Sequence, residues 1–223
     1  DIRFQTNKLT FVIKEPEINQ NDLMVSEIKE YILNIENILY SANFNDIING
    51  YKKYIDIDSF VDWYLINEIV YNTSASFYSS CYMNRDINGK LKMGPIWDFD
   101  FSIGNKIVTN WNKTLEQYPE GFHVKNAKWI SRMFDDEVFT DKIRIRMIYF
   151  YQNKYKLMKY IDSFTPYLYE SKLENNKKWK TLNTNRFYHA DDSYDFVSFN
   201  DEIEYIKSFL DKRMEWLFNQ LCL

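Results

Sequence analysis

Near its C-terminus the chain reads NDEIEYIKSFLDKRMEWLFNQLCL, where Ile203, Ile206, Leu210, Met214, Leu217 and Leu221 recur every three or four residues. Only a helix gathers those side chains into one stripe, and such a stripe persists in water only when it packs on another apolar surface. Asn200 is placed to cap it. A chain that ends this way must supply partner faces elsewhere, and it does. From Asn21 or Asp22 as N-cap, Ile28, Ile32, Ile35 and Leu39 repeat the spacing. IDIDSFVDWYLINEIVYN offers Asp58 or Ser59 as a cap, with Phe60, Trp63, Ile66 or Asn67, and Val70 on one side, so this helix is expected to be largely buried. Further on, NAKWISRMFDDEVFTDKIRIRMIYFYQ predicts a short helix, a break near Asp135 and Asp136, and a long helix carrying Phe139, Ile143, Met147, Ile148 and Tyr151.

Strand signals are fewer. LTFVIK, residues 9–14, is β-branched and aromatic, and Glu15-Pro16 stops it. SFYSSCYMNRDINGKLKMG predicts a hairpin with strands over 77–83 and 90–93 around a turn at Asn88-Gly89. The opening DIRFQTNK shows neither an apolar leader segment nor a clear strand or helix start. Residues 106–120 read as a polar, mobile connector, and residues 175–199 lack periodicity. Five glycines and a hydrophobic content of 45% support a packed, helix-rich body. The expected architecture is α+β: one domain over residues 1–223, helices around a small antiparallel sheet, with no linker.

Several function classes are disfavoured. With 28 basic against 32 acidic residues the net charge is −4, so no global positive field attracts nucleic acid. No apolar run approaches the roughly 18–20 residues of a membrane span. Cys81 and Cys222 are too few and too far apart for a metal cluster or a disulfide framework. His123 and His189 stand apart on polar segments and are expected to be exposed or hydrogen-bonded. Ser79 and Ser80 fall on the expected strand, not in a nucleophile elbow. Among the aromatics, Trp63, Trp97, Trp129, Trp179 and Trp216 read as core or rim residues.

Chemistry concentrates in GPIWDFDFSIGN, residues 94–105. Gly94-Pro95 ends strand pairing, because proline has no N–H to give a ladder, and the following residues form a loop with Asp98 and Asp100 among aromatic rings. Carboxylates against aromatic rings lose hydration and need a cation, a donor or a proton in return. No Arg or Lys lies between Met93 and Asn105. Two readings stay open on pattern alone. Either Asp98 caps a local turn and Asp100 pairs with a distant Arg132, Arg144 or Arg213, or both acids aim at a divalent ion of the Mg²⁺ kind, which is commonly held by one or two carboxylates together with nucleotide phosphates.

The runs YKKYIDIDSFVDWYLINEIVYN and SSCYMNRDINGKLKMGPIWDFDFSIGN, followed in order by KNAKWISRMFDDEVF, ENNKKW and FLDKRMEWL, resemble the CotH kinase family, the spore coat protein H-like proteins. The resemblance covers nearly the whole chain. It implies a mainly helical, atypical protein-kinase-like fold that uses ATP with Mg²⁺ or Mn²⁺ to phosphorylate serines of Ser-rich protein substrates, in the spore coat or at the surface of a bacterium. Carried onto this sequence, Asp98 is the metal-binding acid, Asp100 its helper, and Asn72 a residue that orients metal or phosphate; Trp97, beside Asp98, can wall the nucleotide site. The family places an acid two residues after the position of Asn72, whereas this chain has Ser74. Serine cannot take aspartate's part as proton acceptor at neutral pH. By the resemblance, the nucleotide-covering lobe is expected before LTFVIK, upstream of residues 1–223, which are then the C-terminal, helix-rich portion of the domain; no Gly-rich phosphate loop appears elsewhere in the sequence, and Lys14, the Lys of that strand, reads as a surface residue. A catalytically impaired, pseudokinase-like or structural coat module is the alternative.

Overall fold

The computed structural model describes residues 1–77, 79–105, 107–108, 114–115, 118–180 and 198–223, with only the strand assignment for 107–108 and 114–115. Among the described residues the strands are β1 (Ile2–Gln5), β2 (Thr10–Ile13), β3 (Met83–Asn84), β4 (Lys92–Met93), β5 (Ile107–Val108) and β6 (Thr114–Leu115). The helices are α1 (Leu23–Leu39), α2 (Ile57–Ile69), α3 (Lys128–Met133), α4 (Glu137–Gln152), α5 (Lys154–Phe164), α6 (Tyr169–Trp179) and α7 (Phe199–Cys222). The strands form three two-stranded antiparallel pairs, β1–β2, β3–β4 and β5–β6, in place of one small sheet. Helices dominate, and the fold class is α+β.

The chain divides into two compact units. The first comprises residues 1–64, 74–97 and 124–142. Its opening hairpin sets Ile2 opposite Ile13 and Gln5 opposite Thr10. That makes DIRFQTNK a strand, contrary to the sequence reading: four residues are too short to declare themselves, and the ladder with β2 is what selects the extended form. Asp22 caps α1 by accepting the Met24 N–H at 2.9 Å, and Ile32, Ile35 and Leu39 face the core. Buried Glu36 on the same helix is answered on several sides, by the Thr6 hydroxyl at 2.8 Å, the Lys8 N–H at 3.0 Å and the Trp129 indole N–H at 3.0 Å. Asp136 is held likewise by the Tyr51 hydroxyl at 2.9 Å and the Lys52 ammonium at 3.0 Å, while it accepts the Val138 N–H where α4 begins. The break at Asp135-Asp136 is therefore a capped helix start. At the head of α2, the Asp56 carboxylate, not Asp58 or Ser59, accepts the Ser59 N–H at 3.1 Å.

The predicted hairpin shrinks to β3–β4, with Met83 opposite Met93. Among the described residues of this stretch, Phe77 and 79–82 are not strand, and Phe77 (φ 61°) and Ser80 (φ 56°) are left-handed. A left-handed residue cannot continue a pleat, which overrides the aromatic composition of the stretch. Lys14 is at the surface, 2.7 Å from Asp1.

The second unit comprises residues 65–73, 98–123 and 143–223. Its core element is α7, which buries Tyr205, Phe209, Leu210, Arg213, Met214 and Leu217. The cap is Ser198, not Asn200: its hydroxyl accepts the Asp201 N–H while Asp201 accepts the Ser198 N–H at 2.6 Å, a reciprocal box. Against α7 packs α5, tied by Lys154 to Asp211 at 2.7 Å and by Lys207 to Asp162 at 2.8 Å. Residues 175–179, the start of the stretch without apolar period, nevertheless close α6 (Tyr169–Trp179), a helix with no buried residue. The expected connector over 106–120 contains the β5–β6 pair.

Candidate functional site

The site is built where α2 runs out. Asn67 and Glu68 are fully buried near the end of a helix that is apolar almost all round, so their polar groups must be met inside the protein. Arg213, fully buried on α7, donates to the Glu68 carboxylate at 2.7 Å and to the Glu68 carbonyl at 3.0 Å. The same guanidinium donates to the carbonyls of Pro119, at 3.0 Å, and Gly121, at 2.5 Å. The second use of the Glu68 carboxylate is the His123 N–H at 2.9 Å. One buried ion pair thus fixes the end of α2, the 119–123 segment and α7. Arg213 also lies over the rings of Tyr71 and Trp216, at 4.8 and 5.3 Å from their centroids.

Tyr71, with φ 52°, turns the chain out of α2 into Asn72. Asn72 is buried, and its amide donates to the Asn67 side-chain oxygen at 2.9 Å. The next residue grips the acidic loop: both the Thr73 N–H and the Thr73 hydroxyl donate to the Phe101 carbonyl, at 3.2 and 2.9 Å, and the Ile103 N–H donates to the Val70 carbonyl at 2.8 Å. Segments 70–73 and 101–103 therefore run side by side, which is how the fold brings the Asn72 stretch to the loop of the two acids.

That loop is held in an unusual backbone. Asp98 has φ 67°, Ile103 φ 52° and Gly104 φ 81°. Asp visits the left-handed region at modest cost, but a β-branched isoleucine does so only where its surroundings over-determine it, at about 1–3 kcal/mol. Hydrogen bonds supply that determination. The Ser102 hydroxyl donates to the Phe99 carbonyl at 2.5 Å, the Asn105 amide to the Asp100 carbonyl at 2.6 Å, and the Asn105 N–H to the Ser102 carbonyl at 3.2 Å. Gly104 lies against the Tyr205 ring so closely that no side chain fits.

The strained loop sets the Asp98 and Asp100 carboxyls within hydrogen-bonding reach of each other. The hydrogen bond that protonated Asp100 donates to the Asp98 carboxylate is the largest influence on Asp100 and, with partial desolvation and the charge of Asp98, holds the Asp100 carboxyl above the usual carboxylate range; the backbone N–H groups of Asp100 and Phe101 act the other way. Among the described residues no cation acts on Asp100. Of the arginines weighed as its partner, Arg132 pairs with Asp135 at 2.8 Å and Arg213 with Glu68.

Trp97 is 53% exposed and meets the edge of Tyr82 at 6.0 Å, within the first unit. His123 is half-buried: its ring stacks on Tyr71 at 5.3 Å, and one ring nitrogen lies 3.3 Å from the Thr73 carbonyl. His189 lies outside the described residues. Both cysteines are free, and burial pushes the Cys81 thiol up to about 11. Glu68 and Arg213 are the positioning pair that the sequence reading passed over. The signal was present: a carboxylate near the buried end of α2 requires a cation or donors, and position 213 borders the apolar stripe of α7.

Among the described residues, no group of three or more His, Cys, Asp and Glu side chains is arranged to hold a metal. No described helix is long and apolar enough to cross a membrane. No curated protein and no solved structure matches the chain. The family model described as CotH kinase protein matches residues 8–217, most of the chain and including both acids, Asn72 and the Glu68–Arg213 pair, and the protein belongs to that family.

Proposed function

We propose that residues 1–223 form one CotH-like domain that binds ATP through Mg²⁺ or Mn²⁺ held by Asp98 and Asp100, and that transfers phosphate to serines of a Ser-rich protein segment. The observation that carries the reading is the close approach of the Asp98 and Asp100 carboxyls on a loop with left-handed residues. Two carboxylates this close repel when both are ionised; a shared proton relieves them in the absence of a cation, and a divalent ion relieves them more fully. Two carboxylates suit an ion that keeps waters and phosphate oxygens in its remaining positions, so the lack of a third acidic ligand is no obstacle. When bound, such an ion supplies charge compensation at the phosphate oxygens.

The chain's own residues do the positioning. Thr73 and Ile103 lock the acidic loop to the segment after α2, and Asn72, anchored on Asn67, stands in that segment to orient metal or phosphate. Trp97, largely open to solvent, is proposed as the ring that walls the nucleotide. Ser74, where the family has an acid, leaves the acceptor for the substrate hydroxyl proton unsupplied at that position. Ser74 therefore favours, as a second reading, a module that binds nucleotide without turnover. In either case the proposed location is a spore coat or bacterial surface, by family.

Thermal unfolding with increasing Mn²⁺-ATP tests the binding step. A ligand specific for the folded state raises the melting temperature by mass action, by about 2.7 kcal/mol of stability at 100 times Kd. Asp98→Ala is expected to abolish the rise, measured from the variant's own unliganded melting temperature; an equal rise in the variant would remove the two acids from the site. Transfer of labelled phosphate to a Ser-rich peptide then distinguishes a kinase from a nucleotide-binding module.

A further inference from the structure

The outer face of α5 and of the 3-10 turn that follows it (Thr165–Leu168) carries Tyr155, Lys156, Lys159, Tyr160, Phe164 and Tyr167. Steps of four, four and three residues join Lys156, Tyr160, Phe164 and Tyr167 in one row, with Lys159 beside it, on the side away from Lys154 and Asp162, which fasten the helix to α7; Tyr155 stands on the flank of that row. The rings stand out of the surface: Tyr160 is 61% and Tyr167 82% exposed. They also form a ridge, with Tyr160 to Phe164 at 4.8 Å and Phe164 to Tyr167 at 6.1 Å between centroids. Lys156 and Lys159 both hang over the Tyr155 ring, at 5.9 and 5.8 Å, and among the described residues neither has a carboxylate partner. Neither α5 nor α6 buries a single residue. Residues 154–180 hold seven lysines against three acidic residues, in a chain whose total is −4.

We propose that this stripe is a docking face for an anionic lipid surface. Charge complementarity selects an anionic partner, since the cationic surplus is local and stands against the sign of the whole chain. Shape selects a plane. The outer side of one helix is convex, whereas a peptide partner is ordinarily received in a groove, and a convex row of tyrosine and phenylalanine flanked by lysine is what an interfacial helix presents to headgroups. The rings sit at headgroup depth, and the lysine stems lie along them with their ammonium groups directed at lipid phosphates. This face is independent of the acidic loop, so the proposal stands or falls apart from the kinase reading.

Sedimentation with vesicles tests it, using the whole chain and two kinds of vesicle, pure phosphatidylcholine and phosphatidylcholine with about one-third phosphatidylserine. The expected result is pelleting with the anionic vesicles alone, diminishing as salt is added. The double variants Lys156→Glu/Lys159→Glu and Tyr160→Ser/Phe164→Ser should each need at least about ten-fold more anionic lipid for half-binding. All four positions are at the surface, and unchanged thermal unfolding of the variants confirms an intact fold. Absence of pelleting, equal pelleting with neutral vesicles, or variants that pellet like the parent would each overturn the proposal. So would capture by soluble polyglutamate without any vesicle binding, which would assign the stripe to an acidic protein segment.

Discussion

Two acidic sites in the same unit differ in how their charge is met. Glu68 is sealed from solvent, and its carboxylate has a buried guanidinium and a backbone N–H as partners. Asp100 is exposed and leans on another acid, with no described cation acting on it. The first arrangement is complete within the chain, which is what a structural charge requires. The second brings two acids together near the surface, an arrangement that a proton or a cation relieves. What separates these two carboxylates is therefore their partners, not their residue type.

The contrast is broken most forcefully at its closed end. Arg213→Ala leaves Glu68 buried without its cation and orphans the carbonyls of Pro119 and Gly121. The expected loss is about 3–5 kcal/mol of stability, read by denaturant unfolding. Adding Glu68→Gln, whose amide oxygen still accepts the His123 N–H, should recover part of it, because the stranded charge is gone. A single variant as stable as the parent would show that the pair does not organise this unit.

A smaller effect is expected at the loop itself. Gly104→Ala forces a methyl group toward the Tyr205 hydroxyl at a left-handed backbone position, and should cost about 1–3 kcal/mol. Tyr205→Phe in the same chain relieves the collision but not the backbone term, so recovery should be incomplete. Full recovery would mean that φ at this glycine carries no cost.

The subtlest test sharpens the open end. Because the folded state holds the Asp100 proton more tightly than the unfolded chain does, the pair favours folding below the ordinary carboxylate range. That contribution is lost as pH rises through Asp100's raised value. Asp98→Asn removes the repulsion and offers an amide donor, so Asp100 should titrate lower by carboxyl carbon NMR. The melting temperature should then fall less between about pH 4 and about pH 7 than it does in the parent. In the parent, Mn²⁺ affinity should rise over the same interval, as the shared proton is displaced. An Asp100 titration unchanged by the substitution would end the idea that the two carboxyls are coupled.

Much of the helical framework was legible in the sequence. The stripes of α1, α4 and α7 and the break at Asp135-Asp136 come from spacing and capping residues, and these are local properties. Short elements were not. Two-residue strands, the four residues of β1 and the apolar-poor α6 have too little pattern to stand above their surroundings, and pairing or neighbouring structure selects them. The acidic loop was located by its residues, Gly94-Pro95 ahead and Asp98 and Asp100 within.

By itself, the order of residues determined that this chain is a helix-rich α+β protein with two acids on a loop, because periodicity, proline and charge act over a few neighbours. Which partner each charge receives was decided by the tertiary structure alone. Glu68 and Arg213 are 145 positions apart, and no local rule joins them. The approach of Asp98 and Asp100 depends on a left-handed backbone within a loop held by its own Asn105 and by Thr73 and Tyr205, which only the folded chain brings to it.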